Sequence, residues 1–227
     1  MAAGEAQTRD SALAEMARTL AKRLLHGHHG LGAGIALLLD GEPILAEGVG
    51  WREPQRTSEV RPNDEFHLFS IGKTFIAAAA VRLAERGTLD LDAAVALLLP
   101  DLGLPPSATI RRLLNHTAGV PDYGGLAAYQ EAVRRTPGCP WSNQDFLAAT
   151  LGRQPFGPVG VFAYSNVGYL LARLAIERAA ERDLSAVLDA EVFVTLSASG
   201  LRLATGFGDL SASPLAGAPR SGMGTRP

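Results

Sequence analysis

Ser70 and Lys73 stand three residues apart in Phe69-Ser70-Ile71-Gly72-Lys73-Thr74-Phe75. Residues at i and i+3 share one helix face, so an ammonium lies beside a hydroxyl if this segment opens a helix. A serine hydroxyl alone is a poor nucleophile, and a neighbouring base or cation makes it competent. The same tetrapeptide also arises as a capping serine followed by a solvated lysine, so the spacing alone carries little. A second segment, Phe162-Ala163-Tyr164-Ser165-Asn166-Val167-Gly168, sets a phenol and a carboxamide two positions apart. Tyr164 is suited to exchange a proton with Ser70 where cations hold its pKa down. Asn166 is suited to bind the amide of a substrate. The plain alternative for Tyr164 is a buried tyrosine with its hydroxyl paired.

These residues need elements to position them. Leu13, Met16, Ala17, Leu20 and Leu24 recur at helical spacing, so 10–25 reads as an amphipathic helix. Residues 35–40 and 43–49 flank Asp40-Gly41, a strong hairpin signal, and predict two antiparallel strands. Residues 63–69 read as an extended approach to a core helix over 70–86. Gly and Pro then punctuate short helices at 109–115, 126–134 and 143–151. The stretch 88–158 therefore reads as a helical subdomain inserted between the two motif-bearing helices. Further helices are expected at 166–182 and 184–196. From Gly208 to Pro227 the chain is rich in Gly, Ala, Ser and Pro, without an apolar stripe. Such a segment cannot offset its ordering entropy by burial and is expected to be disordered.

Taken together, the motifs resemble the penicillin-recognising serine hydrolases, on the branch of class C β-lactamases, D-alanyl-D-alanine carboxypeptidases and related esterases. Phe66-His67-x-x-Ser70-x-x-Lys73 and Tyr164-Ser165-Asn166 carry the resemblance. Gly87 to Asp92, Leu98-Leu99-Pro100 and Leu113-Leu114-Asn115-His116-Thr117-Ala118-Gly119-Val120-Pro121 lie between them in family order. The resemblance runs from about Ala33 to Phe207 and implies an α+β fold of the β-lactamase/transpeptidase type, as one domain over 1–207. It implies Ser70 as the acylated nucleophile, Lys73 as its activating partner, Tyr164 as the proton relay and Asn166 as a substrate ligand. His67 and His116 look structural. The substrate is then a β-lactam, a D-Ala-D-Ala peptide or an ester, with no metal or organic cofactor.

One family element has no counterpart. The third motif, a Lys or His followed one residue later by Gly on a late strand, donates part of the oxyanion hole. Ala204-Thr205-Gly206 lacks the cation and follows Asn166 too closely. Losing one oxyanion donor costs about 10²–10³ in turnover. The alternative reading is therefore a catalytically inactive truncated remnant or binding module of the same fold. The change of character suggests a reading frame interrupted between 196 and 210. A hairpin without neighbouring strands is marginal in water, and its uncovered edge invites self-association.

Composition excludes other classes. The chain has 227 residues, 47% apolar and 19% charged, with a formal net charge of −2, which gives no reason to expect nucleic acid as partner. No run approaches the ~20 apolar residues of a membrane span, and no secretory signal is visible, so a cytoplasmic location is expected. The single cysteine, Cys139, rules out an intrachain disulfide. Gly72-Lys73-Thr74 fails as a phosphate loop, because His67 stands where glycine is required. Gly30-Leu31-Gly32-Ala33-Gly34 precedes a strand and fails as a dinucleotide fingerprint. His26, His28 and His29 read as a surface cluster with no metal-binding partner nearby in sequence.

Overall fold

The computed structural model describes residues 2–27, 30–136, 138–139, 141–196 and 200–203. The expected tail over 208–227, Ala204-Thr205-Gly206, and the pair His28 and His29 lie outside these described residues. The chain divides into two compact units, one holding the described residues up to His67 and the other Leu68–Leu203.

The first unit contains helix α1 (Ala2–Gly27) and strands β1 (Gly32–Leu39) and β2 (Glu42–Gly50). The strands pair antiparallel with Leu39 opposite Glu42. Asp40 and Gly41 both take positive φ, 52° and 88°, the backbone of a two-residue turn whose twist matches the strands. The register shifts between Leu37 and Leu38, which keeps Pro43 within the strand at an irregularity where it is tolerated. α1 packs on both strands. The Arg18 guanidinium forks onto the Glu47 carboxylate of β2 at 2.7 and 2.6 Å, the planar two-point contact that suits arginine.

The second unit is helical. A one-turn 3-10 segment, Phe69–Ile71, precedes α2 (Gly72–Glu85). Then follow α3 (Ile110–Leu114), α4 (Ala127–Arg135), α5 (Asn143–Thr150) and α6 (Asn166–Ala180). α7 (Leu184–Leu188) runs into a π-helical turn, Asp189–Phe193. The spacing predicts one helix over 184–196. The π turn interrupts it and buries Glu191, whose carboxylate meets Arg86 at 2.9 Å and Arg182 at 3.5 Å.

Ala79, Ala80 and Leu83 of α2 pack with Val167, Leu171 and Ile176 of α6 in one buried cluster. The alanines let the two helices approach closely. Leu89, Val95, Ile110 and Leu113 join the same cluster, so the segment between the motif helices shares their core. Side-chain caps start the helices where the sequence offers them. Thr109 accepts from Arg112, Ser142 forms a capping box with Asp145, and Asp183 accepts from Ala186.

Candidate active site

Ser70 sits in the 3-10 turn before α2, two residues ahead of the helix that the sequence predicts to begin at Ser70 itself. Phe69 is not extended either: its φ is +45°. That region disfavours a bulky side chain, at a cost of order 1–3 kcal/mol. The tight turn, closed by the Ile71 N–H on the Leu68 carbonyl at 2.9 Å, leaves Ser70 exposed. Lys73, half-buried in the first turn of α2, reaches back, and its Nζ donates to Ser70 Oγ at 3.2 Å.

Tyr164 arrives from the other side on a loop held by backbone bonds. Gly157 N–H donates to the Gly119 carbonyl at 2.7 Å, Gly160 N–H to Thr117 at 2.9 Å, and Ala163 N–H to His116 at 2.8 Å. Gly119 permits this approach. Its φ is +72°, and a Cβ there would stand 2.3 Å from the Gly157 oxygen. Ser165 then caps α6, its Oγ accepting from Gly168 N–H at 2.9 Å and donating to the Pro121 carbonyl at 3.2 Å. Its own N–H donates to His116 Nδ1 at 3.1 Å.

The structure brings all four sequence-predicted side chains together. Ser70 Oγ lies 2.8 Å from the Tyr164 hydroxyl. Lys73 Nζ donates to Asn166 Oδ1 at 2.9 Å, and the Tyr164 hydroxyl reaches the same oxygen at 3.3 Å. The Lys73 ammonium stands 5.1 Å from the Tyr164 ring centre and 5.5 Å from that of Tyr169, within cation–π reach of both. Lys73, followed by the bond from Ser70, pulls the Tyr164 pKa below 10, against burial and the Asp122 charge. Burial chiefly, then the phenol of Tyr164, pushes Tyr169 the other way. Such an arrangement can deprotonate a serine hydroxyl and return the proton to a leaving group.

Two contributors were not predicted as site residues. His116, expected to be structural, packs its ring 4.5 Å from Tyr164 and 5.1 Å from Tyr169 while holding the Ser165 N–H. Burial and then Lys73 lower its pKa, Asp122 acting the other way, which keeps it neutral and its Nδ1 free to accept. Asp122 accepts from Asn166 twice, from the backbone N–H at 2.8 Å and from Nδ2 at 3.2 Å. Its position just after the His116 to Pro121 turn was the available signal, but nothing local says which distant donor a loop carboxylate meets. Among the described residues no group of His, Cys, Asp or Glu is arranged to hold a metal.

Comparison with known proteins adds family and fold. The sequence pattern of the Beta-lactamase family matches residues 17–220. A penicillin-binding protein of Bacillus subtilis (strain 168) is 31% identical over 171 residues, which are 71% of this chain and 36% of that protein. Esterase EstB of Burkholderia gladioli is 29% identical over 174 residues, 71% of this chain and 44% of the esterase. The D-amino acid amidase of Ochrobactrum anthropi SV3, solved with D-phenylalanine, superposes with a TM-score of 0.64 at 26% identity. That match covers 76% of this chain and 47% of the amidase. The chain thus spans between a third and a half of these relatives' lengths.

Proposed function

The chain belongs to the Beta-lactamase family, whose members are penicillin-recognising serine hydrolases, and from that premise we propose that Ser70 is acylated by a carbonyl substrate. In this reading the Tyr164 phenol, its pKa lowered chiefly by the bond from the Lys73 ammonium, gives up its proton and as phenolate accepts the Ser70 proton while Oγ attacks the carbonyl carbon. The backbone N–H of Ser70 stabilises the developing oxyanion. Collapse of the tetrahedral intermediate expels an amine or alcohol, which takes the proton back from Tyr164. Water then attacks the ester on Ser70 and releases the acid. Asn166 holds Lys73 in place and offers its carboxamide to the substrate. The substrate is a β-lactam, a D-Ala-D-Ala peptide or a simple ester, and no metal or organic cofactor enters the cycle.

The observation that carries this reading is the 2.8 Å contact between Ser70 Oγ and the Tyr164 hydroxyl, with Lys73 Nζ 3.2 Å from the same oxygen. These groups come from positions 94 and 3 residues apart, and their convergence is what nucleophile activation requires. The second reading is a catalytically inactive binding module of the same fold.

Intact mass after incubation with a fluorescent penicillin, and separately with an activated ester, distinguishes the two. Hydrolysis predicts an adduct on the wild type that decays with time and is absent in Ser70→Ala. A persistent adduct shows acylation of Ser70 without turnover and rejects hydrolysis, and no adduct on the folded wild type rejects acylation and supports the catalytically inactive module. The outer edge of β1 has no strand partner among the described residues, which supports self-association through that edge. Light scattering tests it, and a strictly monomeric chain across the concentration range rejects it.

A further inference from the structure

We infer that Asp122 is a positioning residue: it fixes which end of the Asn166 carboxamide faces Lys73, and thereby holds the Lys73 ammonium beside Ser70. A carboxamide is nearly symmetric in shape but not in chemistry, because one end accepts hydrogen bonds and the other donates them. Asp122 lies against Asn166 with two acceptor oxygens, one taking the backbone N–H at 2.8 Å and the other Nδ2 at 3.2 Å. The backbone bond registers the carboxylate on the first residue of α6, where a helix N-terminus favours negative charge. The side-chain bond then selects the amide's orientation, since an ionised carboxylate cannot donate.

With Nδ2 turned to Asp122, Oδ1 must point the opposite way. There Lys73 Nζ donates to it at 2.9 Å and the Tyr164 hydroxyl stands at 3.3 Å. An ammonium carries only donors, so a flipped amide would oppose donor to donor and release Lys73 from its 3.2 Å contact with Ser70 Oγ. Asp122 therefore acts on the nucleophile through two intermediaries, Asn166 and Lys73, and needs no contact with substrate. The Gly124 N–H approaches the same carboxylate at 3.4 Å, which helps to hold it in place. The catalytic consequence rests on the acyl-enzyme reading above, whereas the orientation of the amide does not.

The test uses the isosteric Asp122→Asn, which keeps the fold's shape but sets an NH2 against an NH2, together with the exchanged pair Asp122→Asn/Asn166→Asp. In that pair the amide donor and the carboxylate trade places, and Lys73 again finds an acceptor. In the full chain labelled with ¹⁵N-asparagine, the Asn166 side-chain protons should show one resonance shifted downfield by the carboxylate. That shift should be lost in Asp122→Asn. In single-turnover acylation by an activated ester, Asp122→Asn should lower the rate constant about 10²-fold, the scale of a misplaced catalytic group. The exchanged pair also removes the carboxamide offered to the substrate, so it is compared at saturating ester, where its acylation rate constant should exceed that of Asp122→Asn. An Asn166 resonance unmoved by Asp122→Asn overturns the inference. So does an exchanged pair no faster than Asp122→Asn. If the wild type is not acylated at all, the acyl-enzyme reading fails and the resonance alone decides the amide's orientation.

Discussion

Tyr164 and His116 lie ring to ring, and both pKa values are lowered, that of Tyr164 chiefly by the bond from Lys73 and that of His116 by burial first and then by the Lys73 charge. For Tyr164 the consequence is kinetic. A phenol that gives up its proton below pH 10 can serve as a base nearer neutrality, so acylation should rise with pH through that depressed pKa. Tyr164→Phe should remove this limb and lower the rate about 10²–10⁴-fold, the usual contribution of a positioned acid or base. Stopped-flow acylation across pH checks both, and an unchanged profile counts against the assignment. For His116 the consequence is stability. Its folded pKa is lowered from 6.5, so below that value the unfolded chain binds the proton that the folded chain refuses. Stability should therefore fall as the pH drops below about 6.5, as the imidazole charges and its Nδ1 lone pair on Ser165 is lost. The groups facing it are Lys73, Asp122, Tyr164 and Tyr169. His116→Asn, which keeps an acceptor but does not titrate, should flatten this dependence in thermal melts between pH 5 and 8.

At the scale of elements, the site is made by the start of two helices and one clasped loop. Ser165 is the cap of α6 and stands between two site residues, so Ser165→Ala should cost about 1 kcal/mol in denaturant unfolding, the usual loss for an N-cap. It should also slow acylation, because it frees the turn that carries Tyr164. Gly119→Ala should destabilise more, since a Cβ has no room against Gly157 and the backbone there is left-handed. A variant with unchanged melting would mean that the two loops are not pressed together. The start of α6 was readable in the sequence, because a capping serine and an apolar run announce it, whereas α2 starts at Gly72 without a side-chain cap, two residues later than expected. The 3-10 turn around Ser70 was not readable, since its geometry depends on Phe69 adopting a left-handed φ that no pattern in a bulky residue signals. The π turn after α7 escaped for a similar reason. Apolar spacing continues through it, and the pairing of Glu191 with Arg86 and Arg182 joins positions that no local pattern links.

Across the whole molecule, the Leu68–Leu203 unit rests on a continuous core in which Leu83, Ile110, Leu171 and Ile176 are almost fully buried. Ile176→Ala should cost about 2–5 kcal/mol, the transfer loss plus the cavity left behind, read as a shift in the urea midpoint. A loss well under 1 kcal/mol would show that the helices collapse onto the gap. The hairpin, the long helices and the Ser70–Lys73 spacing were determined by the sequence alone, because each is a local pattern: turn residues, an apolar period, and two positions on one helix face. The partnership of that pair with Tyr164 came from resemblance, since no local rule links positions 94 residues apart. The clasp of His116 and Asp122 on the Tyr164 turn was decided only by the tertiary structure. Hydrogen bonds between distant loops depend on how the chain closes in space, and that closure leaves no periodic trace along it.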